Sequence, residues 1–212
     1  MNKDIIIIGI SGKKQSGKST LGDSIFNSII QRSHYKCKRY SFADELKQKI
    51  CIDVMGLTYE QCYGTDEQKN SFTTYRWEKF PENIRGNRTG FITAREIMQY
   101  VGTEFFRIYF DDNIWVNATF RNIFKEQPDF ALISDVRFPS EVDSIIDNGG
   151  YVIRLLRDSC EKDSHESEIA LDNYDFVSWG SRVCTINNQN IKEEEKNNIA
   201  FKYIDSIFKN GC

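Results

Sequence analysis

The stretch that decides the fold is IIIIGISGKKQSGKST, residues 5–20. Its first part, IIIIGIS, is apolar and β-branched, as a buried strand of a parallel sheet is. Its second part, GKKQSGKST (residues 12–20), fits the phosphate-loop template G-x-x-x-x-G-K-[ST] at every fixed position. A helical pattern follows, in which Leu21, Ile25 and Ile29 are spaced by four residues. This strand–loop–helix context predicts a binding site for a nucleoside triphosphate.

The residues of this phosphate loop have separate expected tasks. Gly12 and Gly17 allow backbone conformations that turn amide groups toward phosphate oxygens. Lys18 is expected to reach the β- and γ-phosphates, and the hydroxyl of Ser19 to bind magnesium. The candidate triphosphate-binding residues are Gly12, Lys13, Lys14, Ser16, Gly17, Lys18, Ser19 and Thr20.

Composition places the chain among ordinary globular proteins. Its 212 residues are 40% apolar and 28% charged, which predicts one domain, residues 1–212, with a sizeable core. A net charge of -3 gives no general attraction to nucleic acid or to a membrane surface. No segment approaches the ~20 apolar residues of a membrane span. Six scattered cysteines without a C-x-x-C pair predict reduced thiols and a cytoplasmic location.

Four further β-rich runs follow the first, namely CKRYSF, FALIS, YVIRLL and RVCTI. Helical patterns lie between them, so the fold class is predicted to be α/β, with a five-stranded parallel sheet covered by helices on both faces. Ser140 is expected to cap the helix that follows FALIS. Residues 56–93 are polar and weakly periodic, which fits either a flap on the side of a phosphate acceptor or a solvated excursion.

Two charged residues follow the FALIS run at the edge where ligands of parallel sheets gather. Asp135 is expected to hold magnesium directly or through water, and Arg137 to meet phosphate. The alternative is an ion pair on the surface. Arg154 and Arg157 lead from the YVIRLL run into a polar segment, predicted to be a lid over about residues 157–170.

The segment FADELK places Asp44 and Lys47 after the second run. Asp44 has several open roles: a general base, a ligand for a sugar hydroxyl, a water-mediated magnesium contact or a helix cap. Lys47, one turn later, is expected to meet the phosphate of an acceptor.

A helix is predicted to begin at Thr93, because Thr93 and Glu96 form a T-x-x-E capping box. On a wheel of 3.6 residues per turn, one face is apolar, with Ile97, Val101, Phe105 and Ile108. The opposite face carries Arg95, Gln99 and Gly102. On such a face, an arginine can bind phosphate, an amide can bind a base edge, and a glycine lets a ring approach the backbone. The alternative is an ordinary exposed face.

The charges indicate which kind of acceptor the protein serves. A hydroxyl acceptor needs a base, whereas a phosphate acceptor is already dianionic and needs positive charge. Only Asp44 is a plausible base, so a phosphate acceptor is favoured, and one of Lys13 and Lys14 is expected to face the phosphates. The cations expected at one edge are Lys13, Lys14, Lys18, Lys47, Arg95, Arg137, Arg154 and Arg157.

Eight stretches of the chain carry a resemblance to a known family. They are GKKQSGKST, SFADELK, YGTDEQKNSFTTYRWE, TAREIMQYVGTEFFR, IWVNA, LISDVRFPSEVDSI, GGYVIRLLR and SHESEIALD. Together they resemble the bacteriophage-type deoxynucleoside monophosphate kinases. The resemblance covers about residues 5–187. It implies a P-loop kinase fold with NMP-binding and lid segments. It also implies magnesium-dependent transfer of the ATP γ-phosphate to a deoxynucleoside 5′-monophosphate, and, for a viral protein, action in the host cytoplasm. The resemblance further suggests a homodimer.

The resemblance also implies site residues. The acceptor pocket is implied to be lined by Arg95, Gln99, Gly102 and Thr103, with Trp115 nearby. The resemblance also implies that Lys69 and Trp77 help close this pocket. Two further residues, Ser167 and Glu168, are implied to belong to the lid. Weaker similarity extends to animal phosphomevalonate kinases. The rival functions are a P-loop kinase of another acceptor, such as phosphomevalonate, a nucleoside or dephospho-coenzyme A, and a nucleotide-binding switch without an acceptor.

Overall fold

In a computed structural model of the protein, the structure describes residues 5–32, 35–157 and 169–210. The chain divides into two compact units. The sheet unit comprises Met1–Phe42 and Thr119–Cys212, and the hairpin unit comprises Ala43–Ala118. The hairpin unit contains the whole of the 56–93 segment and extends beyond it at both ends, while the single domain stays a prediction. Most of the predicted lid, with Ser167 and Glu168, lies outside the described residues.

The strands are β1 Ile6–Gly12, β2 Cys37–Tyr40, β3 Phe72–Arg76, β4 Phe91–Thr93, β5 Phe130–Val136, β6 Tyr151–Leu156 and β7 Val183–Asn187. Five of them form the sheet of the sheet unit in the order β2-β5-β1-β6-β7. Every neighbouring pair in that sheet is parallel. The predicted five-stranded parallel sheet is therefore confirmed. In the hairpin unit, β3 and β4 pair in antiparallel fashion.

The helices are α1 Lys18–Arg32, α2 Tyr59–Tyr63, α3 Asp66–Lys69, α4 Glu82–Arg85, α5 Ala94–Gln99, α6 Ile114–Glu126, α7 Pro139–Asp147 and α8 Glu193–Asn210. The chain also forms two π-helices, Leu46–Val54 and Tyr100–Arg107, and two 3₁₀ segments, Trp77–Lys79 and Val177–Arg182. None of the helices within these residues is long and apolar enough to cross a membrane.

The two faces of the sheet are covered by different helices. On one face, Ile8 of β1 belongs to an apolar cluster with Leu21 of α1 and Ala200 of α8. Gly9, the next residue, faces the other side because successive strand residues alternate. A Cβ atom at Gly9 would lie only 2.6 Å from Cδ1 of Ile145 in α7. Helices on both faces therefore explain why β1 is apolar along its whole length.

The helix α7 begins two residues earlier than Ser140 as its cap would place it. Its first residue is Pro139, which suits this place because its fixed φ matches the helix and it has no N–H to satisfy. The buried carboxylate of Glu141 accepts hydrogen bonds from the backbone N–H groups of Arg137 at 2.7 Å and Phe138 at 3.2 Å. The predicted capping role of Ser140 is therefore wrong, and Glu141 holds the start of the helix.

The helix predicted from Thr93 begins as expected. The hydroxyl of Thr93 accepts from the N–H of Glu96, whose carboxylate accepts from the N–H of Thr93. After α5, however, the backbone continues as the π-helix Tyr100–Arg107, which has i→i+5 hydrogen bonds and turns less per residue than an α-helix. Phe105 and Ile108 are consequently 39% and 66% exposed, so the predicted apolar face is wrong beyond α5. The buried residues of this π-helix are Tyr100, Gly102, Thr103 and Arg107.

Candidate active site

The phosphate loop joins β1 to α1 and has the backbone that its two glycines permit. Gly12 and Gly17 have φ angles of 155° and 89°, in a region that other residues rarely adopt. A Cβ atom at Gly12 would also lie 2.6 Å from Oγ of Ser16 and 2.9 Å from the carbonyl oxygen of Leu155. Any larger residue at Gly12 would therefore distort both the loop and its contact with β6.

Lys18 is buried within this loop. Its ammonium donates hydrogen bonds to the carbonyl oxygens of Gly12 and, at 2.7 Å, of Lys13. Burial is the largest cause that lowers the pKa of Lys18 to about 7. The positive charge of Arg137 lowers this pKa further, whereas the carboxylate of Asp135 raises it. Lys18, Asp135 and Arg137 thus form one electrostatic group in the sheet unit.

Asp135 lies at an irregularity of β5. Ile133 is opposite Gly9 of β1, but Val136 is opposite Ser11, so β5 has one extra residue between these pairs. Such bulges redirect side chains and often lie beside active sites. The carboxylate of Asp135 accepts hydrogen bonds from the N–H of Phe42 at 2.8 Å and from the hydroxyl of Ser41 at 2.5 Å. Asp135 therefore also holds the chain that follows β2.

The oxygen atoms of Ser19 and Asp135 fit the ligand preference of magnesium. Ser19 is exposed in the first turn of α1, where its hydroxyl is accessible. Each carboxylate oxygen of Asp135 has two lone pairs and is a hard donor of the kind that magnesium prefers. Magnesium usually binds one or two protein oxygens together with water and substrate phosphates. These residues therefore suit a magnesium ion carried by a nucleotide.

Further cations of the sheet unit are held by neighbouring side chains. The guanidinium of Arg154 lies 4.1 Å from the ring centroid of Phe176. Burial lowers the pKa of Arg154, and Asp172 opposes this effect. The carboxylate of Asp172 also pairs with the ammonium of Lys13 at 2.8 Å. Arg157, the first residue of the predicted lid, is exposed at the end of the described range 35–157.

Arg95 is oriented by two side chains of the hairpin unit. Its Nη2 donates to Oδ1 of Asp66 at 2.5 Å, and its Nε donates to Oδ1 of Asn70 at 2.8 Å. Both partners lie at α3, which precedes β3, whereas Arg95 lies at the start of α5. Two bonds at different atoms fix the plane of the guanidinium, which favours a directed contact with an anion.

Asp44 and Lys47 both contact Tyr63, a residue that was not predicted. The hydroxyl of Tyr63 donates to Oδ1 of Asp44 at 3.3 Å, and the ammonium of Lys47 lies 4.9 Å from the Tyr63 ring centroid. Burial, followed by the charge of Asp44, raises the pKa of Tyr63, so its hydroxyl remains a donor. Tyr63 is the first residue of the segment YGTDEQKNSFTTYRWE, but no role was predicted for it, and it ends the short helix α2 within a polar segment.

Gly102 has a packing role that the sequence did not reveal. A Cβ atom at this position would lie 2.4 Å from Cδ2 of Leu46. The carbonyl oxygen of Gly102 accepts a hydrogen bond from Nε1 of Trp115 at 2.9 Å. The space beside Gly102 is therefore occupied by Leu46 and is not open to a substrate ring. A role of Gly102, Thr103 and Trp115 in binding an acceptor stays a prediction.

Trp77 is part of the interior of the hairpin unit. It is 3% exposed, and the guanidinium of Arg88 lies 3.8 Å from its ring centroid. The ring of Phe80 packs against it at a centroid distance of 5.6 Å. Lys69 ends α3 and Gln99 ends α5, and both are partly exposed. The roles of Trp77, Lys69 and Gln99 toward an acceptor also stay predictions.

The predicted residues separate completely between the two units. The sheet unit contains the triphosphate-binding residues together with Asp135, Arg137, Arg154 and Arg157, and the hairpin unit contains the acceptor residues. The loop also has a partner that was missed. Nδ2 of Asn188 donates to the carbonyl oxygen of Ser16 at 2.7 Å. Asn188 directly follows β7, so the strand-end rule that identified Asp135 would have identified it as well.

Known proteins that are similar to this chain are described as kinases of deoxynucleotide monophosphates. The family model described as "Deoxynucleotide monophosphate kinase" matches residues 51–199. A "Putative deoxynucleotide monophosphate kinase" of Acanthamoeba polyphaga mimivirus is 34% identical over 204 residues, which cover 89% of this chain and 92% of the relative. A "Deoxynucleoside-5′-monophosphate kinase" of Escherichia phage T5 is 27% identical over 178 residues, covering 64% of this chain and 70% of the relative.

A parallel sheet with a phosphate loop after its central strand defines the class of P-loop nucleotide-binding proteins. Within that class, the chain belongs to the deoxynucleotide monophosphate kinase family, because the family model matches more than half of it. It is therefore a kinase, and the resemblance identified from its motifs is confirmed.

Proposed function

We propose that this protein transfers the γ-phosphate of ATP, with magnesium, to a deoxynucleoside 5′-monophosphate and so forms the diphosphate. The observation that carries the proposal is the phosphate loop, with both glycines at positive φ and Lys18 buried against it, in a chain of this family. Backbone N–H groups of such a loop, together with the start of the following helix, bind phosphate oxygens.

Lys18 supplies positive charge at the reacting end of the triphosphate. In the described structure its ammonium bonds to two loop carbonyl oxygens, and bound phosphate oxygens would take their place. A magnesium ion held by Ser19 and Asp135 would neutralise charge on the β- and γ-phosphates. The exposed hydroxyl of Ser19 and the carboxylate of Asp135 are the groups that this chain offers to the ion.

The transfer step needs charge stabilisation more than proton removal. A phosphate oxygen of the acceptor attacks the γ-phosphorus, and the bond from that phosphorus to the β,γ-bridging oxygen breaks. The electron pair of the broken bond leaves with ADP. The acceptor phosphate is mostly dianionic at neutral pH, so no base is required. Arg137, Arg154 and Arg157 are proposed to stabilise the transferring group, as arginines do in related chemistry.

The hairpin unit is proposed to hold the acceptor. Arg95 is fixed by Asp66 and Asn70, and its guanidinium is the proposed donor for the acceptor phosphate in this unit. Asp44 is fixed by Tyr63 and suits a hydroxyl of the sugar. Lys47, Lys69, Gln99, Thr103 and Trp115 are the further candidates.

The test is to incubate the protein with ATP and magnesium, offer each deoxy- and ribonucleoside monophosphate in turn, and quantify the diphosphates. We expect diphosphate from at least one deoxynucleotide and none with Lys18→Ala. If no monophosphate is converted while ATP is hydrolysed slowly, the protein is a nucleotide-binding switch and the proposal is wrong.

A second variant separates phosphate acceptors from hydroxyl acceptors. With a phosphate acceptor, Asp44→Asn should mainly raise the KM of the acceptor, because Asp44 positions and does not remove a proton. With a hydroxyl acceptor, Asp44 would be the base, and the same change would abolish transfer at every pH. Tyr63→Phe removes only the hydroxyl bonded to Asp44 and serves as the milder matched change.

A further inference from the structure

Lys196 is a buried cation that the roles above do not use. It lies in the first turn of α8 and is 3% exposed. Lysine is almost never buried to this extent unless its charge is paired. Within residues 5–32, 35–157 and 169–210, its ammonium makes no hydrogen bond or ion pair. No described side chain bonds directly to this ammonium, although Glu193, Glu194 and Glu195 precede it in the same turn of α8.

The ammonium of Lys196 lies against the phosphate loop. A Cβ atom at Gly17 would be 3.3 Å from Nζ of Lys196 and 3.4 Å from Nδ2 of Asn188. Asn188 in turn holds the loop through its bond to the carbonyl oxygen of Ser16. Lys18 bonds to the loop at Gly12 and Lys13, so the two ammonium groups approach different parts of it.

Two physical terms disfavour a cation at this place in the unliganded protein. Packing of the side chain reduces the hydration of the ammonium, and the first turn of a helix is the positive end of its dipole, which Glu193, Glu194 and Glu195 offset only in part. A bound anion would remove both penalties. The adjoining loop is built to bind phosphate, and lysine binds phosphate as a point charge.

We propose that Lys196 is a second ammonium of the donor site, which binds the polyphosphate of the nucleoside triphosphate from the side of α8. The proposal rests on the proposed function, because it takes the loop to be the donor site. Lys196 then stabilises the complex with the triphosphate and destabilises the unliganded protein. This cost predicts opposite effects of one substitution on stability and on binding.

The experiment compares the full-length protein with Lys196→Met, which keeps the length of the side chain and removes its charge. Calorimetric titrations with magnesium measure the Kd of ATP, ADP and inorganic tripolyphosphate, without an acceptor. Thermal unfolding without nucleotide measures Tm. Lys202→Met, at an exposed position of the same helix, is the matched control. We expect Lys196→Met to weaken ATP and tripolyphosphate about 10–100-fold, as loss of a bond between charged groups does.

Without nucleotide, Lys196→Met should have an unchanged or higher Tm, because an apolar side chain replaces an unpaired charge. Lys202→Met should leave Kd and Tm as they are. If Lys196→Met lowers both Tm and affinity, Lys196→Arg decides, since retained charge should restore most of the binding. Failure of that rescue would show a structural role.

Two other results overturn the proposal. Unchanged Kd values for ATP and tripolyphosphate in Lys196→Met would exclude a contact with the polyphosphate. Unchanged tripolyphosphate binding with weaker ATP binding would assign Lys196 to the base or sugar. If the wild-type protein binds neither ATP nor tripolyphosphate, the donor part of the proposed function itself fails.

Discussion

The sheet unit and the hairpin unit differ in how their candidate site residues are positioned. In the sheet unit, the loop backbone and the strand ends set their positions, as Gly12, Gly17 and the bulge at Asp135 show. In the hairpin unit, side chains hold one another, as Asp66 holds Arg95 and Tyr63 holds Asp44. Backbone geometry follows from local sequence, whereas contacts between distant side chains require the fold. The candidate triphosphate-binding residues of the sheet unit are therefore easier to predict from sequence than the candidate acceptor residues of the hairpin unit.

The largest effect is expected from Lys18→Ala in the sheet unit. Loss of one charge-stabilising group typically lowers kcat by about 10²–10³-fold. The protein should still fold, because the substitution removes a buried charge whose pKa is lowered to about 7. Steady-state kinetics would measure kcat, and thermal unfolding would measure the stability of the fold. The control is Lys49→Ala, at an exposed position of the hairpin unit. Activity within severalfold of wild type would refute the role of Lys18.

Arg95→Ala tests the hairpin unit in the same way. We expect the KM of the acceptor to rise about 10–100-fold, because a bond between charged groups contributes about 1.5–3 kcal/mol. The Kd of ATP should not change. Arg76→Ala, at an exposed arginine of β3, should leave both values unaltered. Equal losses for ATP and acceptor would contradict the division of tasks between the units.

Gly102→Ala separates packing from binding within the hairpin unit. The added methyl group would meet Leu46, and overpacking of this kind costs about 1–3 kcal/mol of the free energy of unfolding. Urea denaturation would measure the loss. Adding Leu46→Val should recover part of it, since the two substitutions would then be coupled. A normal stability with a raised KM for the acceptor would instead favour a direct contact with substrate.

The pH dependence of ATP binding tests the electrostatic group around Lys18. Its pKa is lowered to about 7 by burial and by Arg137, with Asp135 opposing. Phosphate oxygens favour the charged ammonium, so binding should raise this pKa and take up a proton. Between pH 7.5 and 9, affinity should fall by up to about tenfold per pH unit, with uptake of about one proton at the upper end.

Calorimetry in two buffers of different ionisation enthalpy measures this proton uptake. Lys18→Met should show none, since it has no titrating group at this position. Affinity that is flat over the same pH range in the wild type would show that the Lys18 ammonium does not meet the triphosphate.

The smallest effect is expected from Lys13→Ala. Its ammonium pairs with Asp172, but both side chains are about 40% exposed, and such pairs contribute about 0.2–1 kcal/mol. Comparison of Lys13→Ala with Lys14→Ala by kcat/KM for ATP would show which lysine faces the phosphates. Equal and negligible changes would remove both from the site.

The sequence predicted the sheet well because its signals are local. The five β-rich runs correspond to the five parallel strands, and the phosphate-loop template identified Gly12 and Lys18 without any knowledge of contacts. The order of the strands could not be predicted, because a run of buried residues does not indicate which strand pairs with it. The capping box at Thr93 was also recognisable, because its partner is three residues away.

The errors share one physical origin. The wheel drawn for residues 93–108 assumed one helical repeat, and the π-helix changed it after Gln99. The neighbours of Gly102 and Trp77, which are Leu46 and Arg88, were also not predicted, while the roles of Gly102 and Trp77 toward an acceptor stay predictions. In each case the decisive neighbour is distant in sequence or the backbone changes type. Neither a distant neighbour nor a change of helix type produces a periodic pattern in the sequence.

The two ends of the hairpin unit have a consequence for engineering. The chain leaves the sheet unit after Phe42 and returns at Thr119, and the hydroxyl of Thr119 donates to the carbonyl oxygen of Ser41 at 3.5 Å. The exit and the return are thus neighbours, as at the ends of an inserted module. Residues 43–118 can then be exchanged as one cassette between relatives. Such grafts would test the proposed acceptor role of this unit, because the proposed triphosphate-binding residues of the sheet unit would stay unchanged.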